Sequence, residues 1–334
     1  MRLSVVILNW NGQKMLERFL PSVTQHTSGL AEVVVADNGS TDDSLDFLQR
    51  CYPHIRVVAL DKNYGFAEGY NRALAQIDAD YYVLLNDDVE VTPNWWQPVV
   101  DMMEAHPEVA IAQPKLLMFD QRQTFEYAGG AGGFIDKHGY PFCRGRIFSS
   151  LEQDHGQYDD PCEIFWASGA AMFVRASVWK ELGGLDGDFF AHMEEIDFCW
   201  RAKNQGHKVV YCPQSVVYHV GGGTLPKSSP FKTQLNFRNN LSMLHKNLPS
   251  DSQRRVLRLR MLLDWVAGFK FLLGGNMGEF RAVAKAHAQY RQWRPQLDAK
   301  RSRLSPHEVD GVYPRSILLD YYFRGRKRFS DLRW

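Results

Sequence analysis

Four short apolar runs, at 5–8, 32–36, 55–59 and 81–85, alternate with helix-patterned stretches in the first hundred residues. No other feature limits the fold as much. Apolar runs without polar alternation are buried on both faces, and strands separated by helices form βαβ units. The expected fold class is therefore α/β, with a mainly parallel sheet flanked by helices. Those helices are expected over 13–26, from a Ser40 or Thr41 cap to about 51, and over 66–77.

In such a sheet ligands bind at the carboxyl ends of the strands. The residues that follow the four runs are Asn9-Trp10-Asn11-Gly12, Asp37-Asn38-Gly39-Ser40-Thr41-Asp42, Asp61-Lys62-Asn63-Tyr64-Gly65 and Asn86-Asp87-Asp88. Every cluster holds Asn or Asp, and parallel pairing would line all of them along one edge.

The whole chain of 334 residues suits one large domain, or one domain with an appendage. The apolar fraction of 45% and the aromatic fraction of 13% belong to a folded globular protein. Five cysteines, scattered and without a Cys-x-x-Cys pair, exclude a disulfide framework or zinc knuckle and fit a reducing compartment. The N-terminus runs into the first apolar stretch with no basic leader, so no signal peptide is expected. No uncharged apolar run is long enough to predict a spanning helix. The net charge of +1 hides an asymmetry: residues 251–334 carry 18 Lys/Arg against 8 Asp/Glu, and the first 250 carry 21 against 30. An acidic body points to a carboxylate-rich site, and a basic tail to an anionic surface. Nucleic acid is not expected as a partner, because the chain has no helix-turn-helix or RNA-binding signature.

Beyond residue 107 the pattern loosens. Residues 119–163, with Gly129-Gly130, Gly132-Gly133 and Gly139, read as a long, partly mobile excursion of the functional kind. A strand is expected over 170–174, a short helix over 178–182, a helix over 194–205, and a strand over 208–212 stopped by Pro213. Helices dominate from 234, with a boundary within 221–230. The expected division is a catalytic domain over 1–225 and a helical, basic extension over 226–334.

Taken in order, Asn9-Trp10-Asn11, Asp37 to Asp42, Asn86-Asp87-Asp88 and Glu194-Glu195-Ile196-Asp197 resemble the family 2 glycosyltransferases. Asn63-Tyr64-Gly65-Phe66-Ala67-Glu68-Gly69-Tyr70-Asn71 and Arg238-Asn239 resemble its rhamnosyltransferase-like branch. The resemblance covers roughly residues 3–245, and the motifs are informative because several occur in register. It implies the GT-A fold, a nucleotide-sugar donor and a divalent metal, Mn²⁺ or Mg²⁺.

The resemblance also assigns roles. Asp87 is expected at the ribose, Asp88 at the metal, and Asp37 at the base. Hard carboxylate oxygens suit such a cation, which neutralises the charge growing on a departing diphosphate. A cluster of Asn and Asp at a strand end also makes Asx turns. Even so, two adjacent acids after a buried strand are costly to hold without a cation. Asn9, Asn11, Asn63, Gly65 and Asn71 are further nucleotide-binding candidates, although Asn71 equally suits a polar helix face. In the family the second acid of Glu-Asp-x-Asp removes the acceptor proton; here that place holds Glu195, with Glu194 as its rival. Acids at a helix start also serve the helix dipole, and Asp197 with Arg201 reads as a structural pair. His219, before Gly221-Gly222-Gly223, is a second candidate metal ligand, its imidazole suiting Mn²⁺ better than Mg²⁺. Trp166, Ser168 and Gly169 are candidates for the sugar pocket and Arg238 for the diphosphate, and all four serve equally well as supports of the fold.

The tail holds two helical stretches. Residues 256–273 are apolar on nearly all sides, and 279–294 form a cleaner stripe. They fit packing on the body, or a partner subunit, as well as interfacial membrane contact. The function expected is metal-dependent, inverting transfer from a nucleotide-diphosphate sugar, UDP or dTDP foremost, to a glycan or lipid-linked acceptor. The expected setting is polysaccharide biosynthesis for the cell envelope, in the cytoplasm or peripheral at the inner face of the membrane. A nucleotidyltransferase is one rival, lacking here its Gly-rich basic loop after the first strand. A non-catalytic sugar- or nucleotide-binding module is the other.

Overall fold

The computed structural model describes residues 1–27, 29, 31–221 and 229–334. Its first part is β1 (Leu3–Asn9), α1 (Gln13–His26), β2 (Ala31–Asp37), α2 (Ser44–Cys51), β3 (Arg56–Ala59), α3 (Gly65–Leu74) and β4 (Tyr81–Asn86). The strands pair in parallel in the order β4-β1-β2-β3. Along β1, Val5 and Ile7 join Leu16, Leu20 and Val23 of α1 in one core, and Val6 joins Tyr70 and Ala73 of α3 in the other. Burial of alternate residues on opposite faces is why these runs carry no polar alternation.

The chain continues through β5 (Val89–Val91), α4 (Gln97–Ala105) and β6 (Val109–Met118), then β7 (Gly133–Asp136), β8 (Pro141–Cys143), β9 (Arg146–Ile147) and β10 (Ser150–Leu151). Next come β11 (Cys162–Glu163), β12 (Ala171–Arg175), α5 (Ala176–Glu181), α6 (Glu194–Asn204) and β13 (Lys208–His219). The large sheet runs β11-β13-β6-β12-β4-β1-β2-β3, with β5 on β13. It is mixed: β12 is antiparallel to both β4 and β6, while β13 and β6 are parallel.

Two expectations need correction. The excursion at 119–163 is not an open loop, because β7 to β10 form the greater part of a second, five-stranded sheet. The strand expected to stop at Pro213 runs on to His219 as β13, absorbing the proline at a register shift between Cys212 and Val216. A bulge lets a strand carry proline without a lost ladder bond.

The tail is α7 (Pro230–Asn247), α8 (Ser250–Leu273), α9 (Met277–Arg301), β14 (Val312–Tyr313) and α10 (Ile317–Tyr322). β14 pairs in parallel with β7, so the end of the chain completes the second sheet. Most of the boundary expected within 221–230, and Gly222 and Gly223, lie outside the described residues. All five cysteines are free. Among the described residues no helix is long and apolar enough to cross a membrane.

Candidate active site

Register builds the site. Asn9 pairs with Asp37 across β1 and β2, and Leu8 with Asn86 across β1 and β4, so the strand tips finish level. The Asn9 amide donates to Asp37 Oδ1 at 3.0 Å and to Ser40 Oγ at 3.1 Å, while Asp37 Oδ2 accepts from the Ser40 amide at 3.0 Å. Ser40 and Thr41 are therefore not helix caps. α2 begins at Ser44, whose amide donates to Asp42 Oδ1, and Ser40 Oγ instead takes the Asn11 amide at 2.9 Å. Asn11 holds φ 52 and accepts from the Thr41 amide at 2.7 Å. A non-glycine residue in the left-handed region is unusual and marks a constrained turn.

The third tip joins through Asn38, which the sequence quoted only as part of a motif. Its amide donates to Gly65 O at 3.0 Å and Asn63 Oδ1 at 3.2 Å, and its oxygen accepts from the Tyr64 amide. Gly65 must be glycine: its φ is +77, and a Cβ would lie 2.4 Å from the Phe190 ring. Asn71 is engaged elsewhere, with both ends of its amide on the Leu185 backbone at 2.8 and 2.9 Å.

At the fourth tip Asp87 is crowded over Gly12, where an added Cβ would lie 2.4 Å from Asp87 Oδ2 and 2.5 Å from Asn9 Oδ1. Burial, and then the neighbouring Asp88, push the Asp87 carboxyl up to about 7. β5 pairs with β13 so that Val89 faces His219, which brings Asp88 Oδ1 to 3.0 Å from His219 Nε2. Burial opposes charge on this imidazole, but Asp88 and Glu126 outweigh it and hold its pKa well above the ordinary value. Glu126 is a residue the sequence did not single out. Its Oε1 is 3.4 Å from His219 Nδ1, a charge contact rather than a well-formed hydrogen bond. It lies in the glycine-rich excursion, where no motif flags it.

Glycosyl transferase family 2 matches residues 4–183 of the chain, more than half of it. The chain belongs to this family. N-acetylglucosaminyl-diphospho-decaprenol L-rhamnosyltransferase of Mycobacterium tuberculosis is 26% identical over 235 residues, covering 65% of this chain and 75% of that protein. Staphylococcus aureus TarS 1-349, solved with UDP-GlcNAc, superposes with TM-score 0.57 and 16% identity over 98% of this chain and 88% of that one. GalNAc-T7, solved with UDP, GalNAc and Mn²⁺, gives TM-score 0.59 and 18% identity over 75% of this chain and 48% of that one. The fold is GT-A, and the chain is a family 2 glycosyltransferase similar in sequence to a rhamnosyltransferase.

The glycosyltransferase carries its second group of acids at the start of α6. Glu194 is buried and Glu195 half-buried, and Oε2 of each is enclosed without a hydrogen-bond partner. Burial raises both carboxyls; Glu195 reaches about 7, and Glu194, which also faces Glu195, lies well above the usual range. The two carboxyls share one enclosure, so charge on one raises the cost of charge on the other. Beside it runs the 168–169 backbone: a Cβ on Gly169 would lie 4.0 Å from Glu195 Cβ, and one on Gly129 would meet Ser168 at 2.7 Å. The turn at 126–130 therefore touches His219 at one end and Ser168 at the other. Trp166 faces the interior, its indole N–H donating to Phe134 O at 2.9 Å and its ring lying over Gly133.

The segment before α6 is strained and strapped. Phe190, His192 and Met193 have φ of 66, 71 and 72, a costly conformation that persists only where surroundings enforce it. The Asn239 amide donates to Phe189, Ala191 and His192 carbonyls, and Arg238 to Asp188 and Phe189 carbonyls. Burial lowers Arg238 to about 10. Its remaining contacts are to Asn239, Gln289 and the Trp293 ring, so in this structure the guanidinium braces the segment before α6. Lys246 joins Asp186 and Asp197, and Asp197 also holds Arg201 at 2.9 Å and the Asn247 amide at 2.8 Å. The Phe190 carbonyl in turn accepts from Phe66 and Ala67 amides, tying this segment to the start of α3.

The metal expectation meets a two-donor arrangement. Among the described residues no three His, Cys, Asp or Glu side chains converge as a metal site. Asp88 would offer one carboxylate oxygen, and His219 one imidazole nitrogen once a cation displaces the proton that Asp88 now stabilises on it. That set suits Mn²⁺, and a cation that also binds phosphates and water needs only one or two protein ligands.

Proposed function

We propose that the chain transfers a sugar from a uridine or thymidine diphosphate sugar to a hydroxyl of a lipid-linked glycan, in one inverting displacement at the cytoplasmic face of a membrane. The observation that carries this reading is Glu195, whose enclosed Oε2 lacks a partner and whose carboxyl sits near 7. A general base works best with its pKa close to the operating pH. Asn9, Asp37 and Asp87 would hold the nucleotide, with Asn11, Asn63 and Gly65 shaping the turns around it. Ser168 and Gly169 would border the sugar. Asp88 and His219 would hold the divalent cation, which supplies charge neutralisation for the diphosphate. The donors of Asn71, Trp166 and Arg238 are committed to backbone carbonyls, so this reading gives those residues supporting roles.

In the step itself the acceptor oxygen forms a bond to the anomeric carbon as the bond from that carbon to the diphosphate oxygen breaks. The electron pair leaves with the nucleoside diphosphate, and the acceptor proton passes to Glu195. Glu194, held protonated, keeps a second negative charge out of the same enclosure. The similarity to a decaprenyl-diphosphate glycan rhamnosyltransferase, and to a fold seen with UDP-GlcNAc, supports the choice of donor and acceptor class.

Replacing Glu195 by Gln tests the assignment. Turnover is expected to fall about 100- to 10,000-fold, the range for removal of a general base, while nucleotide affinity holds. Unchanged turnover in Glu195→Gln, with turnover lost instead in Glu194→Gln, would move the base to Glu194.

A further inference from the structure

Helix α8 is built the wrong way round for a helix that ends at water. In its second half the charged residues Arg260 and Asp264 point into the protein and are buried, whereas Leu262, Val266, Phe269 and Leu273 point outward at 62%, 60%, 53% and 89% exposure. The inward charges have partners in the fold, with Arg260 Nη2 3.4 Å from Asp264 Oδ1. Arg260 lies 3.6 Å over the Tyr140 ring, and Asp264 meets His287 Nε2 at 3.1 Å. Gly268 lets α9 approach, with Val283 among its nearest neighbours. The core-facing side of the helix is thus occupied by its own packing against Tyr140 and α9, and the apolar outer side is additional to it. A helix that is apolar on both faces needs a second apolar environment.

The outer stripe is ordered along its length. Arg255, Arg258, Leu262, Val266, Phe269 and Leu273 follow each other at intervals of three or four residues, all exposed, on one face about 27 Å long at the usual helical rise. Lys270 flanks the apolar end, and the exposed Met277 follows at the turn into α9. The exposed charges of α9 are mainly cations as well: Arg281, Lys285, Arg291 and Arg294, against Asp298. Below the stripe, Trp265, Phe269 and Phe280 stack with ring centroids 5.8 to 6.3 Å apart, so the face is a braced surface.

We propose that this face of α8 docks on an anionic lipid bilayer, with Leu262, Val266, Phe269, Leu273 and Met277 entering the interface and Arg255, Arg258 and Lys270 meeting headgroup phosphates. Charge selects this occupant. A second copy of the chain on the same face would set like cations against each other across a two-fold axis, whereas an acidic bilayer surface attracts each of them. A basic, amphipathic helix lying in the interface plane has this composition. The inference does not depend on the donor or acceptor proposed above, because lipid binding is read without turnover.

The test is co-sedimentation of the whole protein with sucrose-loaded vesicles of phosphatidylcholine containing phosphatidylglycerol, and of phosphatidylcholine alone. Binding is expected to the anionic vesicles, weakened by salt. It should fall about tenfold or more in Phe269→Ser/Leu273→Ser, and about fivefold in Arg258→Gln, with thermal unfolding still cooperative and turnover on a soluble acceptor analogue unchanged. Absence of binding to either vesicle overturns the proposal, as does equal binding to both that the variants do not alter. A dimer in light scattering that Phe269→Ser/Leu273→Ser dissociates would instead make this face a contact between copies.

Discussion

Substituting Gly12 by Ala would perturb the proposed nucleotide edge without adding or removing an ionisable group. Gly12 has φ −109, which alanine adopts freely, so the backbone is not the obstacle. The obstacle is space: the new Cβ would lie 2.4 Å from Asp87 Oδ2 and 2.5 Å from Asn9 Oδ1, well inside the 3.0 Å that real Cβ atoms keep. Both oxygens must retreat by half an ångström or more. Inserting a methyl group into a packed site costs about 1–3 kcal/mol. If Asp87 and Asn9 hold the nucleotide, that cost appears as weaker binding, about 5- to 150-fold at 1.4 kcal/mol per decade. The assay is thermal stabilisation by UDP and dTDP with Mn²⁺, alongside urea unfolding of the free protein to separate binding loss from fold loss. Nucleotide affinity within a factor of two of the parent would refute the placement of the nucleotide over Gly12.

Three other outcomes follow from the geometry. The rate should fall as pH drops through about 7, because protonation removes the Glu195 base, and a flat profile from pH 6 to 8 would contradict that role. The same raised carboxyl means the folded state keeps a proton that the unfolded state loses above about 4.5, so its contribution to stability fades as pH rises toward 7. Glu195→Gln should accordingly be more stable than the parent at pH 8 by urea unfolding, and a loss of stability there would show the burial argument to be wrong. Lys246→Met removes the cation shared by the buried Asp186 and Asp197, and should cost about 3–5 kcal/mol in urea unfolding; a loss below about 1 kcal/mol would show that Lys300 and Arg201 suffice for those acids.

Much of the fold was legible because β1, β4 and the second half of β2 are buried on both faces, which writes burial into the sequence as uninterrupted apolar runs, while the short edge strand β3 is mostly exposed. Their carboxyl-end clusters followed, since parallel register leaves no other place for those tips. Pro213 misled because a bulge, invisible in the pattern, carried β13 past it. The excursion misled for a different reason: β9 and β10 are two residues each, too short to show a period, and one edge of their sheet is completed by Val312 and Tyr313. Among the candidate site residues, Asn71, Trp166 and Arg238 make hydrogen bonds within the fold whose partners lie far away in sequence, which no local pattern shows. Glu126 was not legible at all, because its meaning comes from His219, 93 positions away in sequence and 3.4 Å away in space. The left-handed residues before α6 likewise have no glycine to announce them, being held by Asn239 from the tail.

The most direct test of the account is sugar transfer itself, followed by mass spectrometry of a polyprenyl-diphosphate N-acetylglucosamine acceptor incubated with UDP and dTDP sugars. One added sugar is expected, of opposite anomeric configuration to the donor by NMR of its anomeric proton, dependent on Mn²⁺ or Mg²⁺, abolished by a chelator and lost in Asp88→Asn. Transfer that continues undiminished in the chelator and in Asp88→Asn, or that retains the donor configuration, would contradict the account.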